Sequence, residues 1–316
     1  MKILKNGKGL KSSKGPVLTL GNFDGMHLGH QRILKKVAAR ARELGCPSVV
    51  YTFEPHPLKV VAPGKSPPLL LDRKDKCRLV DSFGIDALIL ARFTKEFASK
   101  HPREFVEEVL VRELSACEVW IGHDYAFGRG KRGTVDYLKR LAGEFGFKVL
   151  VVPAYRKKGA VVSSSRVREL LREGEVREAA GLLGRCHMIR GVVVKGRRVG
   201  KGLGFPTANL KVTSELVPRG GVYAAYAKVG RRERQAVVNI GIAPTFASKR
   251  GGKKGGRKTT VEVHMLDFKG DVYGRELELS FVKRIRDEVR FGSTEELSRQ
   301  IEKDVKRARQ LTARPL

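Results

Sequence analysis

The sequence predicts an α/β protein made of two unlike parts, a doubly wound parallel sheet followed by a small antiparallel β-barrel. From residue 17 to about 185, continuous apolar runs alternate with segments of helical periodicity, as in a parallel sheet covered by helices on both faces. After about residue 187, several strand-like segments alternate with period two and helices become rare, which is typical of a small barrel. The length of 316 residues also favours two domains.

The strands of the first part are predicted where apolar runs are continuous, because strands buried on both faces need no polar alternation. These runs are residues 17–20, 49–53, 87–90, 119–121 and 149–152. Between them, apolar side chains recur three or four residues apart, with charges on the other face. This spacing predicts covering helices around residues 33–41, 105–110 and 138–145.

The second part begins after a predicted helix over residues 176–183 that ends at Gly184. We therefore expect domains at 1–184 and 185–316. Its predicted strands are residues 189–194, 222–226, 236–240, 261–265 and 277–281. Ser293 with Glu296 is a helix-capping signal, and Leu297, Ile301 and Val305 give the last helix an apolar stripe.

The chain is strongly basic, with 64 Lys and Arg against 33 Asp and Glu and a formal net charge of +31. Such a charge attracts polyanions whether or not binding them is the function. The basic residues are spread over the whole length, and only seven Tyr and one Trp are available for stacking on bases. We therefore expect no specific nucleic-acid partner; the sequence leaves the oligomeric state open.

The four cysteines stand far apart and form no C-x-x-C pair, which argues against a disulfide framework or a zinc knuckle. The N-terminal residues lack the apolar run of a signal peptide, and no run approaches the ~18 residues that span a bilayer. These features predict a cytoplasmic protein without a membrane partner.

The most informative stretch of the first part is residues 21–30, which we call the histidine loop. It follows a predicted strand and opens a predicted helix with His27 and His30, three residues apart and so on one helix face. The exposed amides and positive dipole end of a helix start attract phosphate, and Gly29 lets a ligand approach the backbone. Two imidazoles here can stabilise charge on a transferring phosphate; a structural pair or a chance metal pair is the alternative.

A second element suited to phosphate lies at residues 163–168, where three serines precede Arg166 and Arg168. Hydroxyls, first-turn amides and Arg168 can hold a triphosphate. The alternative is a serine-rich helix cap with solvated arginines. Together with the histidine loop, this element indicates one nucleotide cleft at the carboxyl ends of parallel strands.

In the second part, glycines at 200, 202 and 204 permit a tight turn against phosphate. In the extended segment that follows, Thr207 and Asn209 point to one face, where their oxygens can share a hard cation such as Mg²⁺. A glycine-rich β-turn without a ligand is the alternative. Glu262 lies in an alternating strand; it either faces solvent or, in a ligand cavity, serves as a general base for a hydroxyl.

Residues 249–258 hold six cations among four glycines and cannot form a core. They predict a loop between two strands. Such a loop is either a solvated hairpin tip or a basic flap over a phosphorylated ligand.

Four blocks of the first part resemble, in order, the motifs of the FAD synthetase (FMN adenylyltransferase) module of bacterial-type bifunctional riboflavin kinase/FAD synthetases. The blocks are residues 21–30, 52–57, 122–128 and 163–168. The resemblance implies a Rossmann-like nucleotidylyltransferase domain in which FMN attacks the α-phosphate of ATP, giving FAD and pyrophosphate with help from Mg²⁺.

The same resemblance assigns roles to single residues. Those matching the first motif would hold and neutralise the phosphates: Asn22, Asp24, His27, Gly29 and His30. Ser163, Ser164 and Arg168 would hold the β- and γ-phosphates. Phe23 and Asp124 would lie on the flavin and nucleotide side.

The second part resembles the riboflavin kinase module, whose motifs occur in order at residues 204–209, 221–224, 239–246, 261–268, 271–274 and 286–291. The resemblance implies a six-stranded antiparallel barrel with a terminal helix, which transfers the γ-phosphoryl group of ATP to the 5′-hydroxyl of riboflavin. Thr207 and Asn209 would then hold Mg²⁺, and Glu262 would be the base. Gly202 and Gly204 would contact ATP phosphates, and Arg286 the flavin.

Three departures from the family pattern are visible. Cys186 and His187 stand where proline and an aromatic residue are usual, Ala243 stands where arginine is common, and the loop at 249–258 is long and basic. They concern substrate affinity and loop behaviour more than the reaction class.

Overall fold

The computed structural model describes residues 1–10, 14–195, 204–243 and 258–313. Internal contacts divide the chain into two compact units, Met1–Ser164 and Ser165–Leu316. In this division helix Val176–Leu183 groups with the second unit, because it packs against two strands of the barrel. The domain boundary at 184/185 stays a prediction.

The first unit contains a six-stranded parallel sheet. Its strands run in the spatial order β1-β4-β3-β2-β5-β6. Their bounds are β1 Lys2–Leu4, β2 Val17–Leu20, β3 Ser48–Glu54, β4 Ala87–Arg92, β5 Glu118–Gly122 and β6 Lys148–Val152. A two-stranded hairpin, β7 Arg156–Lys157 and β8 Ala160–Val161, follows the sheet.

The helices of this unit lie between the strands. They are α1 Leu28–Leu44, α2 Pro57–Val61, α3 Arg73–Ser82, α4 Lys95–Ser99, α5 Pro102–Phe105 and α6 Val135–Phe145. α5 continues as a π-helix over Val106–Glu113, and short 3₁₀ turns occur at Gly7–Gly9, Pro63–Lys65 and Arg129–Lys131.

Two apolar cores lie on the two faces of this sheet. On one face Val17 and Val50 pack with Val37 of α1 and Val80 of α3. On the other face the alternate strand residues pack against a second set of helices, as in the contact group of Leu18, Val49, Leu110 of the π-helix and Leu138 of α6. Helices therefore cover both faces, and the predicted doubly wound architecture is confirmed.

Strand order fixes where a ligand can bind. From β2 the chain steps to β3 and β4 on one side, whereas β5 and β6 lie on the other. The switch point is therefore between β2 and β5, and open α/β sheets bind ligands outside the carboxyl ends of strands at such a point. The histidine loop follows β2 directly, and Asp124 follows β5.

The second unit is a closed antiparallel barrel preceded and followed by helices. α7 Ser164–Glu173 and α8 Val176–Leu183 come first, and α9 Thr294–Thr312 comes last. The barrel order is β10-β13-β12-β11-β14-β9. Its strands are β9 His187–Val194, β10 Ala208–Val212, β11 Gly221–Val229, β12 Arg232–Ala243, β13 Lys258–Met265 and β14 Glu276–Arg286.

Alternation along the strands separates the barrel interior from its outer face. Val238, Val263 and Leu279 are fully buried, whereas Val222 and Val237 pack outward with Ala308 of α9. The Ser293 hydroxyl accepts a hydrogen bond from the Glu296 amide, 3.2 Å, and begins α9 where the capping signal predicts. The six-stranded barrel with a terminal helix is confirmed.

Candidate active sites

Three residues of the histidine loop have a left-handed backbone conformation. Phe23, Gly25 and Met26 have φ angles of 48°, 79° and 44°, in the left-handed region that non-glycine residues seldom adopt. Non-glycine residues in this conformation are strained by about 1–3 kcal/mol each, and such strain often accompanies a function.

Side chains from other elements hold the carbonyl groups of this loop. Lys76 Nζ donates to the Asn22 carbonyl at 2.9 Å, and Ser164 Oγ donates to the Asp24 carbonyl at 2.8 Å. Gln31 Nε2 donates to the Met26 carbonyl at 2.9 Å. These bonds fix the strained backbone in one conformation before any ligand binds.

The two imidazoles are brought together at the start of α1. His27 is the N-cap residue, and its Nδ1 accepts a long hydrogen bond from the His30 amide at 3.4 Å. In the neutral ring the His27 proton is therefore on Nε2. The two rings stack with centroids 3.7 Å apart and planes inclined by 18°.

His30 is held as a neutral imidazole. Its pKa is well below the ordinary value, first because the ring is desolvated and then because the charges of His27 and Lys76 oppose protonation. Its Nδ1 is buried without a hydrogen-bond partner within the described structure. A buried polar atom of this kind is costly unless a ligand satisfies it, and this favours the ligand-binding interpretation of the pair.

Gly29 lies directly against the His27 ring. A Cβ atom added at Gly29 would come within 3.1 Å of both Cε1 and Nδ1 of His27, which is tighter than ordinary contact. The glycine that the sequence singles out for ligand access therefore also makes room for the His27 ring.

Asp24 and Asn22 occupy different environments. Asp24 is 4% exposed, and its carboxylate accepts hydrogen bonds from the amides of Leu70 and Leu71, at 3.0 and 3.2 Å from Oδ1. Its carboxylate thus ties the loop to the segment before α3. Asn22 has an exposed side chain, which can reach a ligand.

Phe23 and Asp124 also differ in exposure. Phe23 is 2% exposed and meets His30 edge to face, with ring centroids 5.3 Å apart, so it supports the imidazole from beneath. Asp124 is exposed beyond the end of β5, where its Oδ1 lies 3.8 Å from His123 Nδ1.

Of the second phosphate element, the structure brings Ser164 to the histidine loop through the hydrogen bond to Asp24. Ser163 is half-buried immediately before α7. Arg168 lies one helical turn further along α7, is 6% exposed and falls in the second unit.

In the second unit, three polar side chains form a row across the outer face of the barrel. Strand pairing places Asn209 of β10 opposite Glu262 of β13, and Glu262 opposite Asn239 of β12. Directly opposed residues of antiparallel strands have Cβ atoms about 4.5–5.5 Å apart. All three are half-buried, between neighbours that point into the barrel. We call this set the polar row.

Thr207 precedes β10 and shares the half-buried face of Asn209. It lines a pocket of about 120 Å³ with Phe268, Val272 and Tyr273. His264 Nδ1 lies 2.9 Å from the Pro206 carbonyl and so can hold this segment to β13. Gly204 has a φ of 84°, and no atom of the described residues outside Gly204 and its chain neighbours lies within 4 Å of where a Cβ would stand.

Three sequence predictions for the second unit concern Gly202, the basic loop and Arg286. Gly202 and residues 249–257 lie outside the described structure. Arg286 pairs with the buried carboxylate of Asp304 on α9, with Nη2 2.7 Å from Oδ2, and its guanidinium also lies over the Phe291 ring at 5.7 Å. Arg286 therefore anchors the terminal helix.

Lys76 lies in none of the sequence motifs, and Asn239 and His264 carry no role that the sequence predicts. Lys76 carries one weak signal, since it lies four residues before Val80 on the buried stripe of α3, where an apolar residue is expected. Asn239 and His264 become informative only through strand register.

The two units thus present two candidate sites, the histidine loop on a parallel sheet and the polar row on a barrel, which suit a transferase that acts on phosphorylated nucleotides. The family model for FAD synthetase matches residues 10–166, and that for riboflavin kinase matches residues 183–312.

Curated relatives and a solved structure match almost the whole chain. The bifunctional riboflavin kinase/FMN adenylyltransferase of Escherichia coli K12 is 36% identical over 95% of this chain and 92% of its own. The Bacillus subtilis enzyme of the same name is 36% identical over 92% and 91%. A Streptococcus pneumoniae crystal structure titled macrolide-efflux protein is 31% identical, with a TM-score of 0.85 over 97% of this chain and 98% of its own.

The chain belongs to the bifunctional riboflavin kinase/FMN adenylyltransferase family. It phosphorylates riboflavin to FMN and transfers the adenylyl group of ATP to FMN, giving FAD. FAD synthetase occupies the N-terminal position and riboflavin kinase the C-terminal position. Among the helices of the described residues, none has the length and apolar character to cross a membrane.

Proposed function

We propose that the histidine loop carries adenylyl transfer and that the polar row carries phosphorylation of riboflavin. The observation that supports the first assignment best is the stacked His27–His30 pair at the sheet's switch point, with a buried His30 Nδ1 that has no hydrogen-bond partner among the described residues. The second rests on the register that sets Glu262 beside Asn209.

In adenylyl transfer, a phosphate oxygen of FMN forms a bond to the α-phosphorus of ATP, and the bond to the β-phosphate oxygen breaks. Negative charge on the phosphoryl oxygens must be stabilised as this happens. His27 would donate a hydrogen bond from Nε2 to a phosphoryl oxygen. His30 would take part as a neutral imidazole and not as a cation. Asn22, Gly29 and the first amides of α1 complete the phosphate side.

Further residues are proposed either to contact the other parts of the nucleotide and flavin or to support the histidine loop. Ser163 and Arg168 are proposed to hold the leaving pyrophosphate. Ser164 and Asp24 support the loop backbone, and Phe23 supports His30. Asp124, exposed beyond β5, is proposed to contact the flavin or nucleotide.

In the kinase reaction, Glu262 would accept the proton of the riboflavin 5′-hydroxyl as its oxygen bonds to the γ-phosphorus. The bond from that phosphorus to the β-phosphate oxygen breaks, and ADP leaves. Gly202 and Gly204 are proposed to contact ATP phosphates and Arg286 the flavin.

The donor set of this unit fits Mg²⁺. A threonine hydroxyl and an amide carbonyl are oxygen ligands, which suit a hard cation that also binds ATP phosphates, and Thr207 and Asn209 share one face beside Glu262. When bound, Mg²⁺ supplies neutralisation of phosphate charge. The pocket beside Thr207, walled by Phe268 and Val272, would receive the non-phosphate part of the nucleotide. We also propose a cytoplasmic location, where ATP and reduced thiols are available.

These assignments are tested with two variants and matched controls. Glu262→Gln should lose FMN formation, whereas Glu233→Gln, an exposed glutamate on neighbouring β12, should keep it. His30→Gln should lose conversion of FMN to FAD, whereas exposed His101→Gln should keep it. Products are separated by chromatography after incubation with ATP, Mg²⁺ and either flavin. Full activity of Glu262→Gln or His30→Gln would refute the corresponding assignment.

A further inference from the structure

Lys76 is a buried lysine next to the histidine loop. It lies in the first half of α3, is 8% exposed, and donates from Nζ to the Asn22 carbonyl at 2.9 Å. The carboxylates of Asp24 and Glu54 and the Cys77 thiol are the titratable groups whose charges raise the pKa of Lys76.

Hydrogen bonds hold the start of α3, the helix that carries Lys76, to the histidine loop. Asp24 accepts hydrogen bonds from Leu70 and Leu71 just before α3. Asp72 then caps the helix by accepting from the Asp75 amide at 2.7 Å. The helix start is thus tied to the same loop whose carbonyl group Lys76 binds.

Burying an ammonium group is expensive. Desolvation of a charged side chain costs several kcal/mol unless its partners are well placed. Burial is the main influence on the pKa of Lys76 and lowers it, while Asp24 and Glu54 act in the opposite direction. A methionine could fill the same space without that cost, so packing alone does not account for a buried ammonium group at this position.

The neighbouring histidines supply a reason for the charge. Besides desolvation of the ring, the charges of His27 on the loop and Lys76 on α3 lower the pKa of His30 and so oppose its protonation. Adenylyl transfer builds negative charge on phosphate oxygens beside this pair, and a fixed positive charge in a dry site stabilises such charge strongly.

We propose that Lys76 is a positioning residue of the adenylyl-transfer site, which holds the Asn22 carbonyl and provides a fixed positive charge beside the His27–His30 pair. This inference rests on the proposed role of that pair in FMN adenylylation. Lys76 thereby acts on the reaction through the loop and through the electrostatic environment of His30.

The test compares Lys76→Met with Lys74→Met, which removes an exposed lysine from the same helix. In Lys76→Met, we expect kcat for conversion of FMN to FAD to fall at least about tenfold. Removal of one preorganised hydrogen-bond donor that stabilises developing negative charge typically lowers kcat by about 10²–10³-fold. Riboflavin phosphorylation, in the other unit, should not change. Lys74→Met should keep both activities. An unchanged kcat in Lys76→Met would overturn the proposal.

A second readout separates a charge effect from a packing effect. With ¹³C-labelled histidine, the NMR titration midpoint of His30, assigned with His30→Gln, should move to higher pH in Lys76→Met, because a neighbouring positive charge is gone. An unmoved midpoint would contradict the electrostatic role even if activity falls. Folding of the unit is followed by the fluorescence of Trp120, the single tryptophan.

If Lys76→Met does not show the folded Trp120 signal, Lys76→Arg replaces it. That variant keeps the charge, so it should keep the low His30 midpoint and most of the adenylyl transfer; loss of both would overturn the proposal. The parallel assay of His30→Gln distinguishes a failure of the proposed role of Lys76 from a failure of the proposed adenylyl-transfer site. Loss of activity in His30→Gln but not in Lys76→Met refutes only the role of Lys76, whereas full activity in His30→Gln refutes the site itself.

Discussion

The rings of His27 and His30 stack face to face, with centroids 3.7 Å apart. This contact exists because His27 caps α1 with its own side chain, which turns its ring back over the first helical turn. Two imidazolium ions at this distance would repel each other strongly, so we propose that the pair acts on phosphate by hydrogen bonding and helix-end electrostatics rather than as two cations.

Gly29→Ala should disable adenylyl transfer. The new Cβ would come within 3.1 Å of the His27 ring and displace either the ring or the backbone. We expect FMN-to-FAD conversion to fall by about 10²-fold, as for misplacement of a catalytic group, with riboflavin phosphorylation unchanged. Gly143→Ala in α6, where a Cβ meets nothing within 4 Å, is the control. Equal adenylyl transfer in the two variants would contradict the packing argument.

Asp24→Asn should destabilise the first unit. The buried carboxylate accepts hydrogen bonds from the backbone N–H groups of Leu70 and Leu71. In the variant, either the side-chain NH₂ group points at one of these N–H donors, or one of the N–H groups loses its acceptor. A loss of about 1–3 kcal/mol is expected, measured by urea unfolding with Trp120 fluorescence. Exposed Asp136→Asn should change stability by less than about 0.5 kcal/mol. A similar loss in both variants would argue against a special role for Asp24.

His187→Phe should remove a pH dependence from the second unit. Burial lowers the pKa of His187 to about 4, although its bond to the Leu216 carbonyl acts in the opposite direction. The unfolded chain, with a pKa near 6.5, therefore binds more protons between these values. Stability is fully present above about pH 6.5 and falls as pH drops toward 4, by about 3 kcal/mol in all.

The resemblance to the riboflavin kinase module implies an aromatic residue at this position, so phenylalanine is a natural replacement beside Phe281. The variant loses one hydrogen bond, about 1 kcal/mol at neutral pH, but its stability should vary less with pH. We would measure the temperature at which half of the riboflavin kinase activity is lost, at pH 7 and at pH 5. An equally large drop at pH 5 in the variant would rule out His187 as the cause.

Arg286→Met should detach α9 from the barrel. Its guanidinium neutralises Asp304, which is 3% exposed, and removing one partner of a buried ion pair costs about 3–5 kcal/mol. The double variant Arg286→Met/Asp304→Leu should recover most of that loss. Thermal inactivation of the kinase measures the effect, and the KM for riboflavin in the double variant reports any flavin contact. No loss of stability in the single variant would contradict the structural role.

Much of the fold could be predicted from the sequence because it rests on local patterns. Continuous apolar runs predicted β2 to β6, and alternation predicted five of the six barrel strands. β1 was not foreseen, since it is three residues long and two of them are exposed. The π-helix Val106–Glu113 follows the same apolar spacing as an α-helix, so periodicity indicates a helix there without revealing its type.

The candidate sites were predictable only in part. His27, Gly29 and His30 are close in sequence, and the spacing itself indicates a shared face. Lys76 and the bracing by Asp24 depend on contacts between residues about 50 positions apart. Asn239 joins Glu262 only through strand register, which no local pattern specifies.

The central claim is that two independent ATP-using sites occupy one chain, and a mixing experiment tests it most directly. His30→Gln and Glu262→Gln are incubated separately and together with riboflavin, ATP and Mg²⁺. We predict that His30→Gln stops at FMN, that Glu262→Gln makes no product from riboflavin but converts added FMN to FAD, and that the mixture makes FAD from riboflavin. Loss of both activities in either single variant would contradict the account.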